Sequence, residues 1–175
     1  YLPGVQLGQS WKLTSDLDTA ARDAEVIVMA VPSSGFRDIA SRLDFFKGCV
    51  VSVTKGIEYA SGKTMTGVLE EAMPLARSVA LSGPTLAAEV VAGMPTAIVA
   101  ASNHSAYANQ IQTLFHLPHF RVYTSNDPIG VELGGALKNV IAIAAGICQG
   151  LGFGDNSKAA LVTRAIAEIR RLGVS

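Results

Sequence analysis

Glu25-Val26-Ile27-Val28-Met29-Ala30-Val31 runs largely apolar and then stops at Pro32-Ser33-Ser34-Gly35. A short apolar run bounded by turn residues suits a parallel strand buried on both faces. Behind it, Phe36, Ile39, Leu43 and Phe46 recur at helical spacing, so the unit reads strand, turn, helix. The unit then repeats. Residues 49–53 form a second strand, 63–73 a helix, and 78–82 a third strand; after Gly83-Pro84 comes a helix over 85–92. Residues 96–100 are a fourth strand, 105–115 a helix and 120–123 a fifth strand. A short polar helix over 16–23, capped by Ser15 or Asp16, precedes the series. Strands alternating with helices of this length predict βαβ units, an α/β fold and a mainly parallel sheet, wound right-handed. Strand order is not readable from this pattern.

The texture changes at Asp127-Pro128, where Asp127 suits an N-cap and Pro128 a first helical turn. Residues 129–150 are one long run rich in Ala, Gly, Val and Ile, broken by Gly152-Phe153-Gly154-Asp155 and followed by a second helix over 156–172. Two long helices after a sheet predict the start of an all-helical second domain. The expected division is 1–126 and 127–175.

Composition narrows the function classes. The 175 residues hold 14 Lys+Arg against 14 Asp+Glu, with 49% hydrophobic and 16% charged residues. Disorder is excluded, and a nucleic-acid partner is not expected without a basic excess. The apolar stretch 140–148 is too short to span a bilayer and no charged-then-apolar leader opens the chain, so a cytoplasmic protein without stable membrane insertion is expected. Cys49 and Cys148 match neither a disulfide framework nor a CxxC metal site. His104, His116 and His119 read as surface or cap residues.

Open α/β sheets bind ligands at the carboxyl ends of their strands. Three successive ends read Val31-Pro32-Ser33, Val53-Thr54-Lys55-Gly56 and Ser82-Gly83-Pro84-Thr85. Ordinary turn chemistry accounts for the small residues, but a lysine directly after a buried strand has no evident structural task. Thr85 is placed to open a helix whose N-terminal N–H groups could hold an anion. A sharper feature is Lys138-Asn139 inside a helix that is apolar nearly all round and therefore expected to be buried. Burial disfavours the ammonium, which suits a general base near neutral pH. The structural alternatives are a snorkelling lysine or a buried ion pair with Glu132. Gly134, Gly135 and Gly146 in the same helix cost stability unless something packs close to the backbone.

Val53-Thr54-Lys55-Gly56-Ile57-Glu58, Ser82-Gly83-Pro84-Thr85-Leu86-Ala87-Ala88-Glu89, and residues 134–140 followed by 150–164 together resemble NAD(P)-dependent glycerol-3-phosphate dehydrogenase, most closely its bacterial form. The resemblance runs from Tyr1 to the end, with all three blocks in order. It implies a Rossmann-like sheet lacking its first strands, and an internal piece of about half such an enzyme. The Gly-x-Gly-x-x-Gly turn that holds the cofactor pyrophosphate is absent from these residues. The activity implied is interconversion of sn-glycerol 3-phosphate and dihydroxyacetone phosphate with NAD or NADP, supplying glycerol 3-phosphate for phospholipid synthesis. Lys138 matches the proton acceptor, and Lys55 a lysine touching both substrate and cofactor. Gly83, Thr85 and Asn139 match substrate-binding positions. Ala87 matches a backbone contact to the cofactor, and Pro32, Ser33 and Phe36 lie on the nicotinamide side. A homodimer is implied for the full-length enzyme. The rivals are another two-domain hydroxyacid or hydroxyacyl dehydrogenase, ketopantoate reductase included, and a non-catalytic piece.

Overall fold

The computed structural model describes residues 2, 4–6 and 8–173; Tyr1, Pro3, Leu7, Val174 and Ser175 lie outside the described residues. Five strands, β1 (Val26–Met29), β2 (Cys49–Ser52), β3 (Arg77–Ser82), β4 (Thr96–Ala101) and β5 (Phe120–Ser125), form one sheet in the order β1-β2-β3-β4-β5. The β1–β2, β2–β3 and β4–β5 pairs are parallel, and β3–β4 is antiparallel. The sheet is mainly parallel, as the alternation predicts. Because β4 and β5 run the other way, their N-terminal ends share an edge with the C-terminal ends of β1, β2 and β3.

Helices α1 (Leu17–Ala21), α2 (Phe36–Ser41) and α3 (Met65–Ala72) serve one core. There Phe36, Leu43, Met65, Val68, Leu69 and Met73 pack with Met29 and Val50. Helix α5 (Ser105–Phe115) serves the other, where Ile111 meets Val51, Val79, Ile98 and Val122. Adjacent Val50 and Val51, both fully buried, belong to different cores; alternation along the strand sends them to opposite faces. Asp16 caps α1 and accepts from Asp18 N, while Thr64 caps α3 and accepts from Gly67 N. His116 does meet the chain as a cap neighbour: its Nδ1 accepts from Val122 N at 3.3 Å.

The first four helices are all shorter than expected. α2 ends at Ser41 because the chain continues in tighter turns, Leu43 N to Ala40 O and Phe46 N to Leu43 O. The helix expected from Thr85 is α4 (Ala87–Val91), five residues long with Leu86 as N-cap. Thr85 therefore does not open a helix, and the proposed helix-end anion site does not form there.

Asp127 caps α6 (Pro128–Gly150), accepting from Gly130 N at 2.8 Å, with Pro128 in the first turn. Gly152, at φ 74°, turns the chain into α7 (Asp155–Gly173). The expectation that α6 is buried is not met: only Pro128 and Glu132 are buried, and Val140, Ile143 and Ile147 are 58–67% exposed. The first half of α6 lies on the sheet. Further along, Val140, Ile141 and Ala144 face Leu161, Ala165 and Ile169 of α7 across a groove of about 360 Å³. One apolar stripe has a partner; the rest of the surface has none among the described residues. The stretch 140–148 is also not a separate short segment. It continues a 23-residue helix that is long and apolar enough, by length and composition alone, to cross a membrane.

Candidate active site

The site is assembled from strand ends and one helix. Thr54 Oγ1 donates to Val31 O at 2.7 Å, tying the end of β2 to that of β1 and fixing where the next residue, Lys55, leaves the sheet. The loop after Lys55 is pinned from outside. Arg37 of α2 donates Nε and Nη2 to the two oxygens of Glu58 at 2.8 and 2.7 Å, and Nη2 also to Glu71 at 2.8 Å. The Arg37 guanidinium, helped by Ser61, holds the Glu58 carboxyl down at about 2. Gly56 sits at φ 148°, where a side chain would approach Ser33 Cβ and Oγ to 3.1 Å. The β1 and β2 loops are thus packed together.

Lys55 Nζ donates to Gly83 O at 3.1 Å, across to the end of β3. Gly83 has a steric reason to be glycine: a Cβ there would stand 2.8 Å from Ala97 O and 2.9 Å from Ile98 Cα. Helix α6 comes equally close at Gly135, whose Cβ would stand 2.5 Å from Ser82 Oγ and 4.0 Å from Lys55 Cγ. Gly134 and Gly146 have open space where a Cβ would go, so of these three glycines only Gly135 serves a close approach. One turn beyond it, Lys138 reaches Lys55. The Lys55 amine is pushed below the ordinary lysine range, first by desolvation and then by the like charge of nearby Lys138. Two amines therefore meet at the strand ends. Beside Lys55 lies a cavity of about 300 Å³ lined also by Thr85 and Ala87, with Val53, Leu81 and Ile98 as its apolar wall.

The structure thus brings Lys55, Gly83, Thr85, Ala87 and Lys138 into one neighbourhood. Ser33 joins them through Gly56, and exposed Pro32 stands beside it. Three expectations need correction. Lys138 is exposed, because α6 is uncovered at this height, and Lys55 is exposed as well. Phe36 is 0% exposed and packs in the core of α2 and α3, which leaves its side chain no face for a cofactor. Glu132 is not the ion-pair partner of Lys138: it accepts from Thr66 N at 2.9 Å and from Thr66 Oγ1. Burial pushes the Glu132 carboxyl up, against the pull of those hydrogen bonds. Asn139 is exposed beside Lys138 and makes no side-chain hydrogen bond among the described residues. Among those residues no three His, Cys, Asp or Glu side chains gather to hold a metal, and burial pushes the Cys49 thiol up to about 11, away from nucleophile chemistry.

Comparison with known proteins gives the same neighbourhood a family. Residues 1–108 match the model of the NAD-dependent glycerol-3-phosphate dehydrogenase N-terminus, and residues 127–175 that of the C-terminus. A glycerol-3-phosphate dehydrogenase [NAD(P)+] of Carboxydothermus hydrogenoformans is 49% identical over 179 residues, covering 99% of this chain and 53% of the relative. The crystal structure of glycerol-3-phosphate dehydrogenase from Coxiella burnetii superposes with a TM-score of 0.89 at 36% identity, over 98% of this chain and 54% of that one. The glycerol-3-phosphate dehydrogenase structure from Saccharomyces cerevisiae superposes with a TM-score of 0.87 at 28% identity, over 99% of this chain and 53% of that one. The chain spans about half the length of the curated relatives it matches.

Proposed function

The chain belongs to the NAD-dependent glycerol-3-phosphate dehydrogenase family, and from that premise we propose that the whole protein interconverts sn-glycerol 3-phosphate and dihydroxyacetone phosphate with NAD or NADP. The observation that carries this reading is the close approach of α6 to Ser82 and Lys55 at Gly135, which brings Lys138 near Lys55, a residue that lines the strand-end cavity. Two amines on one spot make a field that attracts a phosphate-bearing substrate.

In the oxidation direction Lys138 Nζ takes the proton of the C2 hydroxyl as the C2–H bond breaks and the C2 carbonyl forms; in reduction it returns that proton. Lys55, anchored on Gly83 O, orients the substrate oxygens and offsets the negative charge that grows on them. Thr85 and the Gly83 backbone edge the substrate, and Asn139 enters beside Lys138. The cofactor, when bound, accepts or supplies the hydride. Its ring end fits what is present: a cavity at strand carboxyl ends, of small-ligand size, next to the Ser33–Gly56 contact and the Ala87 backbone. Its pyrophosphate end has no glycine fingerprint among these residues.

The same reading divides the protein at 126/127, a sheet domain before and a helical substrate domain after, supported by the separate spans of the two family models. It makes the protein cytoplasmic, a homodimer at full length, and a source of glycerol 3-phosphate for phospholipid synthesis. The first half of α6, bonded to Thr66 and close-packed on Ser82, supports a helix that docks on protein rather than one that inserts in lipid. The test is nicotinamide reduction by a full-length chain offered glycerol 3-phosphate, a 3-hydroxyacyl thioester and a 2-hydroxyacid separately. Turnover confined to glycerol 3-phosphate is expected; preference for either other substrate contradicts the reading.

A further inference from the structure

Glu132 is the one charged side chain among the described buried residues, at 7% exposure. A buried carboxylate is costly unless it is fully bonded, and a leucine would fill the same space without desolvating a charge. The partners of Glu132 are not a cation but the first turn of α3: the N–H and hydroxyl of Thr66. A carboxylate there completes the helix end, where Thr64 already accepts from Gly67 N.

The placement links the two lysines by structure. α3 is the continuation of the loop that starts at Lys55, closed by the Ile57–Thr64 bridge and by Glu58 N donating to Lys63 O at 2.8 Å. Glu132, Gly135 and Lys138 follow one another at three-residue steps on α6, each about a turn above the last. Glu132 grips the first turn of α3, Gly135 closes on Ser82, and Lys138 then stands at Lys55. Two fixed points set both the height and the rotation of a helix.

We propose that Glu132 is a positioning residue for the reaction: its carboxylate, seated at the N-terminus of α3, fixes α6 in height and rotation and so holds Lys138 against Lys55. This rests on the roles given to the two lysines above, but the placement itself is measurable without turnover. A displacement of about an ångström at a reacting group costs on the order of 100-fold in rate.

The test uses Glu132→Ala, Glu132→Gln and Thr66→Val in the full-length chain. One readout is kcat and KM for glycerol 3-phosphate and for the nicotinamide cofactor. The other is the titration of the Lys55 amine, followed by NMR after reductive ¹³C-methylation and assigned with Lys55→Arg. Glu132→Ala should lower kcat by roughly 10–100-fold with the cofactor KM nearly unchanged, and Lys55 should titrate upward toward an ordinary lysine as Lys138 leaves it. Glu132→Gln keeps an acceptor for Thr66 N–H and should restore most of both. Thr66→Val, which removes only the hydroxyl, should give the same signs at smaller size, and it decides the matter if Glu132→Ala does not fold. Wild-type kcat per folded molecule together with an unmoved Lys55 titration, whatever the melting temperature, overturns the proposal. Should the wild type itself not turn over glycerol 3-phosphate, the functional reading fails, and the Lys55 titration alone upholds or overturns the positioning role.

Discussion

In α3, Met65, Val68 and Leu69 are at most 1% exposed; in α6, Val140, Ile143 and Ile147 are 58–67% exposed. Both helices carry strong apolar patterning, and only one is covered. The difference teaches that periodicity specifies an element, whereas burial needs a second surface. α3 has the sheet beneath it and α2 beside it. α6 has the sheet under its first half and α7 along one stripe. The proposed site lies where the covered region meets the uncovered one, at Lys55, Gly83, Gly135 and Lys138.

The contrast can be broken or sharpened by substitution, each effect read as the shift in a chemical denaturation midpoint of this chain. Leu69→Ala, in the covered region, should cost about 2–5 kcal/mol through lost transfer energy and a cavity. A loss as small as that of a surface change would mean the core is not close-packed. Gly135→Val puts branches against Ser82 and Lys55 at the junction and should cost about 1–3 kcal/mol by overpacking. It should also raise the Lys55 titration as α6 is pushed off. Gly134→Ala, one residue away with open space, should instead stabilise by about 0.5–1 kcal/mol, since alanine is the better helix former. If the two neighbours respond alike, the close approach at Gly135 is not real. Ile143→Ala, in the uncovered region, should stay within about 0.5 kcal/mol of wild type; a core-sized loss would show that something covers this face.

Much of the sheet was legible in the sequence because each strand is a short apolar run between turn residues, as at 25–31 and 49–53, and this pattern has few alternatives. The β3–β4 reversal was not legible, since it depends on how a five-residue helix and the turn at Gly93, φ 74°, fold back. Nor was the end of α2, where apolar spacing continues through turns that are not helix. Of the proposed site, the strand-end position of Lys55 was legible from its place after an apolar run. Lys138 stood out for a reason that fails in the structure: an apolar helix implied burial, and the helix is exposed. Phe36 was read for its position in a loop while its side chain was already committed to the core. The role of Glu132 was hidden because a hydrogen bond spanning 66 residues of chain leaves no local trace. A Thr-x-Thr helix start and a lone acid in an apolar helix were the only signals.

The most direct test of the two-lysine site is turnover of glycerol 3-phosphate by Lys138→Met in a full-length chain. Lys138 is exposed, so the variant should melt as the wild type does while kcat falls by roughly 10²–10⁴-fold, the range for a lost general base. Lys138→Arg should fail as well, because a guanidinium keeps its proton near neutral pH. Turnover at the wild-type rate in either variant would contradict the assignment of Lys138 as the proton acceptor.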